Sequence, residues 1–95
     1  MKQLDLTVEE AVDYLKDNLK IHDTLEISYN RIFAPGEVLT ITEEDEETGE
    51  GLRVGLQLNG EILNQSIEVD FKEIADDLIE MRHIQDGKEL IIEIL

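Results

Sequence analysis

Residues 52–67 read LRVGLQLNGEILNQSI, which is the clearest hairpin pattern in the chain. Apolar and polar residues alternate up to position 58, as expected for a strand with one buried face. Asn59-Gly60 favours a two-residue turn, because both residues tolerate the positive φ that such a turn needs. Pairing Leu58 with Glu61 across this turn places Leu56 opposite Leu63 and Leu52 opposite Ile67, so the turn and the burial pattern indicate one register.

The residues before this hairpin predict a short strand, Lys2–Leu6, followed by a helix. Thr7 and Glu10 have the spacing of a capping box, in which each side chain bonds the other residue's backbone N–H. Apolar residues then recur three and four positions apart up to Leu19, which is the period of one helix face. The sequence therefore predicts a first helix over Thr7–Lys20.

After this helix the pattern changes to period two, with one apolar strand face that holds Leu25, Ile27, Tyr29 and Phe33. Ala34-Pro35-Gly36-Glu37 has the composition of a turn. A second strand is predicted over Glu37–Glu43, and we expect a bulge near Pro35 and Gly36 because the apolar faces are otherwise out of phase. The acidic, glycine-containing residues 43–51 predict a mobile loop.

The C-terminal third predicts a second helix and a last strand. Asp70 and Glu73 form another capping box, and helical spacing continues over Phe71–His83. Asp86-Gly87 predicts a turn. Residues 88–95 are then nearly continuously apolar, which indicates a strand with neighbours on both sides or one covered on both faces. A right-handed crossover through the second helix would connect this strand to the preceding one.

Together these elements predict an α+β fold in one domain over residues 1–95. It has an N-terminal helix, an antiparallel meander of about four strands in two hairpins, a second helix, and a C-terminal strand that returns to the sheet. A chain of this length buries only about 60 to 65% of its unfolded surface, which excludes a large multi-domain enzyme.

Charge and composition exclude further classes of function. The chain has 24 Asp and Glu against 8 Lys and Arg, a net charge of −16, and no Cys. The absence of Cys excludes disulfides and thiolate chemistry, and the absence of an export signal favours the cytoplasm. So large a negative charge opposes direct binding to nucleic acid or to an anionic membrane.

The sequence offers little for catalysis, and we expect no catalytic residue, cofactor or metal. Neither serine lies in a nucleophile motif. His22 and His83 each follow a predicted helix, where the expected role is to bond the last helical carbonyls. Arg82 falls within the apolar arc of the second helix, where it is expected to snorkel or to pair with Glu93.

The acids form three patches. Helical projection places those of each predicted helix in one stripe about 100° wide, opposite or beside the apolar face. Neighbours of like charge four residues apart repel each other, and no interleaved lysine relieves this. The charge density, roughly one per 3 Å, is close to the ~3.4 Å spacing along one nucleic-acid strand. The predicted partner-binding residues are Glu9, Glu10, Asp13, Asp17, Glu43, Glu44, Asp45, Glu46, Glu47, Glu73, Asp76, Asp77 and Glu80.

Two hypotheses follow. In the first, a monomer or homodimer imitates nucleic acid and occupies the basic groove of a nucleic-acid-binding protein or nuclease, as do anti-defence inhibitors from phages or mobile elements. In the second, the protein is a small interaction subunit, such as an immunity protein, antitoxin or adapter, that binds through an apolar patch. The candidates for that patch are Tyr14, Ile32, Leu39 and Ile62. Acidity that serves only solubility is the alternative to both.

Overall fold

The fold is a single mixed sheet of seven strands with one helix, seen in a computed structural model that describes residues 2–43, 51–58 and 65–95. The strand order is β1-β7-β6-β2-β3-β4-β5, with β1 parallel to β7 and all other neighbours antiparallel. The elements are β1 (Lys2–Leu6), α1 (Val8–Asn18), β2 (Thr24–Tyr29), β3 (Ile32–Thr42), β4 (Arg53–Leu58), β5 (Ser66–Asp70), β6 (Leu78–Gln85) and β7 (Lys88–Ile94). The predicted α+β arrangement with two helices is therefore wrong, and the domain is mostly β.

The N-terminal strand and helix are confirmed. The Thr7 side chain accepts a hydrogen bond from the backbone N–H of Glu10, and the Glu10 carboxylate accepts one from the N–H of Thr7. Ala11 and Leu15 are fully buried against the sheet. Because these signals are local, a helix of 11 residues could be recognised without knowledge of its partner strands.

The first hairpin turns earlier than predicted. Tyr29 pairs with Ile32, so the turn is Asn30-Arg31, and Asn30 adopts a φ of 53°, which asparagine tolerates well. Ala34-Pro35-Gly36-Glu37 lies inside β3 instead. Gly36 is needed there for close approach, because a Cβ on it would lie 2.6 Å from the backbone oxygen of Gln57 on β4.

The early turn also changes which side chains enter the core. Ile27 pairs with Ala34, which is buried, whereas Phe33 pairs with Ser28 on the opposite face and is 60% exposed. The predicted bulge near Pro35 and Gly36 is wrong in position. The register of β3 with β4 shifts between Val38 and Thr40, where Leu39 is the extra residue.

The second hairpin pairs the predicted strands in a different register. Leu56 lies opposite Ile67 rather than Leu63, and Val54 lies opposite Val69. The shift is an even number of residues, so it keeps the same side chains on the buried face, and burial could not exclude it. The predicted turn at Asn59-Gly60 and the predicted loop residues 44–50 lie outside the described residues.

The predicted second helix, Phe71–His83, is wrong, and so is the crossover through it. Residues 71–77 form turns, and β6 follows as a strand between β2 and β7. The Asp70 carboxylate does accept a bond from the N–H of Lys72, and the Ile74 N–H bonds the Asp70 carbonyl. A first helical turn therefore forms, but the helix does not continue, because the following residues form β6 in the middle of the sheet.

A bulge in β6 explains why the sequence resembled a helix. Ser28 pairs with Glu80 and Tyr29 with Leu78, so Ile79 is an extra residue in the ladder and is 55% exposed. Leu78 and Met81 thereby both reach the core although they are three residues apart. This spacing is typical of a helix face, and only a bulge allows it in a strand.

The C-terminal strand is confirmed, with β1 on one side and β6 on the other. Asp86 and Gly87 have φ values of 52° and 79° and form the predicted turn, now between β6 and β7. Helix α1 packs on one face of the sheet, over a core that includes Leu25, Ile27, Leu56, Phe71, Met81 and Ile92. We call the opposite face the outer face. None of the described segments forms a helix that could span a membrane.

Candidate functional site

The acids predicted on the first helix lie on α1 and are exposed. Glu9, Asp13 and Asp17 take part in no ion pair among the residues that the structure describes, whereas Glu10 bonds the N–H of Thr7 at the helix start. The stripe on α1 is therefore available to a partner. It runs from the end of β1 back over the sheet, because α1 begins directly after that strand.

The stripe predicted on the second helix does not exist as such, because that helix does not form. Glu73, Asp76 and Asp77 are exposed in the turns at residues 71–77, and Glu80 is partly buried on the outer face of β6. The spacing of about 3 Å per charge does not apply to these four residues. In the third predicted patch, Glu43 is exposed just after β3, and residues 44–47 lie outside the described residues.

The structure also places Glu80, one of the predicted acids, in a row with two acids outside the predicted patches. Glu80 lies directly opposite Glu93 on β7, and Glu93 is in turn beside Asp5 on β1. These three carboxylates form a row across three adjacent strands of the outer face. Residues 5, 80 and 93 belong to separate segments, so no local pattern could join them, and only the strand order reveals the row.

Acids of both faces lie at one end of the sheet. Leu6 pairs with Ile94 at this end, α1 starts immediately after it, and β6 starts immediately after Asp77. The backbone oxygen of Asp77 accepts a bond from the N–H of Asn30, which fixes the turn segment here. We call this region the acidic end and define it by Asp5, Glu9, Asp77, Glu80 and Glu93.

Basic side chains pair elsewhere. Arg82 approaches Glu26 and Glu89 at 3.9 Å each, not Glu93 as predicted. Arg53 pairs with Glu68 at 3.3 Å. Across residues 2–43, 51–58 and 65–95, no ion pair includes a carboxylate of the acidic end, so its repulsion is not offset by a neighbouring cation within that part of the chain.

The two predicted helix-capping histidines have other positions. His22 is exposed, with Nδ1 3.2 Å from the Glu37 carboxylate. His83 is only 3% exposed and lies in β6, where its two ring nitrogens contact Tyr14 of α1 and Asp23 before β2, each at 2.7 Å. We call these three residues the Tyr14–His83–Asp23 network.

The hydrogen-bond partners of Asp23 keep its carboxyl group ionised. Burial alone would raise the pKa of Asp23, but hydrogen bonds from His83, the Lys20 backbone and Gln85 outweigh burial and hold that pKa below its ordinary value. Asp23 is therefore an acceptor, and Nε2–H of His83 donates to it.

The network resembles the order of hydroxyl, imidazole and carboxylate used in nucleophilic catalysis. Burial, and then the negative charge of Asp23, raise the pKa of Tyr14, which keeps the phenol protonated. Both ring nitrogens of His83 are engaged, one by Tyr14 and one by Asp23, so neither is free to act on a substrate. We interpret the network as a connection that holds α1 on the sheet. Within the described segments, no group of three or more His, Asp or Glu has the arrangement to hold a metal ion.

Comparison with known proteins places the chain in a family. It belongs to the family described as an uncharacterized protein conserved in archaea (DUF2097), which matches residues 2–93. No curated protein and no solved structure matches the chain. The family is conserved in archaea.

Proposed function

We propose that this protein is a non-enzymatic acidic binding protein of the cytoplasm whose acidic end occupies the basic groove of a nucleic-acid-binding partner. Binding would then compete with DNA or RNA for the same Lys and Arg side chains. The partner is to be sought among archaeal proteins, because the family is conserved there. The observation that carries the proposal is the row of Asp5, Glu93 and Glu80 on adjacent strands.

Like charges directly opposite each other in a sheet are destabilising. Glu80 and Glu93 are in this relation, and the nearest cation on β6, Arg82, approaches other carboxylates. A groove lined by Lys and Arg would remove the repulsion when it binds. Because the repulsion is present in the free protein and absent from the complex, its removal contributes favourably to the free energy of binding.

The geometry supports an interface on both faces of the sheet edge. Glu9 lies at the start of α1 on one face, and the row lies on the other face of β1 and β7. A cleft that accepts this edge would contact carboxylates on both sides, as it would contact the two strands of a duplex. The net charge of −16 would steer the encounter at low ionic strength.

An apolar interaction surface has weaker support. Ile32 and Leu39 are 51% and 37% exposed, but they are seven residues apart on β3, or about 23 Å at the rise of a strand. Tyr14 is partly buried and bonds His83, and Ile62 lies outside the described residues. The predicted candidates therefore do not form one patch.

The test is affinity capture from an archaeal lysate with a quadruple variant, Asp5→Asn, Glu9→Gln, Glu80→Gln and Glu93→Gln. The control variant changes four other exposed acids, Glu37→Gln, Glu43→Gln, Glu68→Gln and Asp86→Asn, and so has the same net charge. We expect the wild type and the control to retain a basic partner that added DNA or salt releases, and the quadruple variant to lose it. A partner that all three proteins retain in the presence of DNA and salt would refute the proposal.

A further inference from the structure

The end of the sheet opposite the acidic end carries basic residues. Lys2 pairs with Leu90, and Leu90 pairs with His83, so these three residues form one row on the face that α1 covers. Lys88 and Gln85 form the next row on the same face, beside the β6–β7 turn. The register therefore brings two lysines from different ends of the chain to one place.

These residues line an open depression of about 660 Å³ between α1 and the sheet. This volume is within the usual range of small-molecule sites, roughly 300 to 1,000 Å³. Lys2 and Lys88 are both exposed, and neither has an ion-pair partner in the described part of the chain. Glu89 also borders the depression, but its carboxylate lies 3.9 Å from Arg82 on the outer face.

The inner wall is rigid and partly apolar. Leu90 packs against the core, and the Tyr14 ring lies edge-on to the His83 ring, with 5.7 Å between ring centroids. The Tyr14–His83–Asp23 network fixes this ring, because His83 bonds both partners at 2.7 Å. Two exposed lysines thus border a fixed aromatic and aliphatic wall.

From this arrangement we infer that the depression binds a small organic anion, whose phosphate or carboxylate group lies between Lys2 and Lys88 and whose apolar part contacts Tyr14 and Leu90. Lysine ammonium groups are common ligands for both kinds of oxyanion. The site is distinct from the acidic end and does not depend on the function proposed there. It is the place in the described chain where two cations without ion-pair partners line the same depression in an otherwise strongly acidic protein.

The test is an amide NMR titration of the folded protein with phenyl phosphate, benzoate and inorganic phosphate at constant ionic strength. We expect saturable shifts at Lys2, at residues 85–90 and around Tyr14. Phenyl phosphate should bind more tightly than inorganic phosphate, because its ring contacts the apolar wall. The comparison of phenyl phosphate with benzoate shows which oxyanion the two lysines prefer.

Substitutions of single lysines test whether Lys2 and Lys88 bind the anion. Lys2→Gln and Lys88→Gln should each raise the Kd about threefold, which is within the range for exposed ion pairs, and the double variant more. Lys72→Gln, an exposed lysine in the turns at residues 71–77, makes the same change in net charge and should leave the Kd unchanged. Absence of saturable shifts, shifts centred elsewhere, or equal weakening by Lys72→Gln would overturn the inference.

Discussion

Replacement of Asp23 by Asn should destabilise the protein more than any other exchange of an acid for its amide among the described residues. Oδ2 of Asp23 accepts three hydrogen bonds, from His83 Nε2 at 2.7 Å, the Lys20 N–H at 2.9 Å and Gln85 Nε2 at 3.0 Å. Asn keeps an oxygen acceptor but loses the charge. Bonds to a charged group are worth about 1 kcal/mol more than neutral ones, so we expect a loss of about 2 to 3 kcal/mol.

The loss should depend on pH in a defined direction. The pKa of Asp23 is lowered in the folded protein from its ordinary 3.8, so its stabilisation is complete above that value and disappears as the pH falls through the folded-state pKa. Urea unfolding of the wild type and of Asp23→Asn should therefore differ fully at pH 7, and the difference should shrink below about pH 4. The many other carboxylates titrate in both proteins and cancel in the comparison.

Asp86→Asn is the matched control. It removes the same charge, and asparagine accepts the φ of 52° that Asp86 has in its turn, so stability should change by less than about 0.5 kcal/mol. If Asp23→Asn unfolds at the same urea concentration as this control at pH 7, the network does not hold α1 on the sheet. A difference that stays constant from pH 7 to pH 2 would contradict the assignment of Asp23 as a partly buried, ionised acceptor.

Four further substitutions test the fold and the acidic end by urea or thermal unfolding. Glu93→Gln should stabilise the protein by a few tenths of a kcal/mol, because it removes the repulsion from Glu80 on the facing strand; a loss of stability would show that the pair is already neutralised. Gly36→Ala should destabilise it by about 1 to 3 kcal/mol, because the added Cβ would lie 2.6 Å from a backbone carbonyl of β4; unchanged stability would contradict the β3–β4 register. Phe33→Ala should change stability by less than about 1 kcal/mol. Phe71→Ala should reduce stability by about 3 to 5 kcal/mol, because Phe71 is only 1% exposed. Equal losses would place Phe33 in the core.

The parts of the fold that the sequence predicted correctly depend on short-range information. The helix α1 follows from Thr7, Glu10 and apolar residues three and four positions apart, and the last turn follows from Asp86-Gly87. In each case the residues that determine the structure lie within a few positions of one another. The pairing of β1 with β7, by contrast, joins residues about 90 positions apart. No sequence pattern in either strand indicates which strand it pairs with.

The errors have specific physical causes. At β6, the bulge at Ile79 gave a strand the apolar spacing of a helix, and a capping residue at Asp70 began a turn that the sheet then ended. At the second hairpin, a register shifted by an even number of residues satisfies the same alternation, so burial could not select between Leu63 and Ile67 as the partner of Leu56. Alternation determines which face is buried, but it does not determine the register.

Local sequence patterns also limited how much of the candidate site could be predicted. A helical projection can detect carboxylates only when one segment carries them, as Glu9 and Asp13 do on α1. The row of Asp5, Glu93 and Glu80 arises from strand order, and the same order places Lys2 beside β7 at the other end. Because one pairing positions both groups, a variant that displaced β1 would disturb both ends together. Substitutions that leave β1 paired are therefore the ones that can distinguish an acidic interface from an anion site.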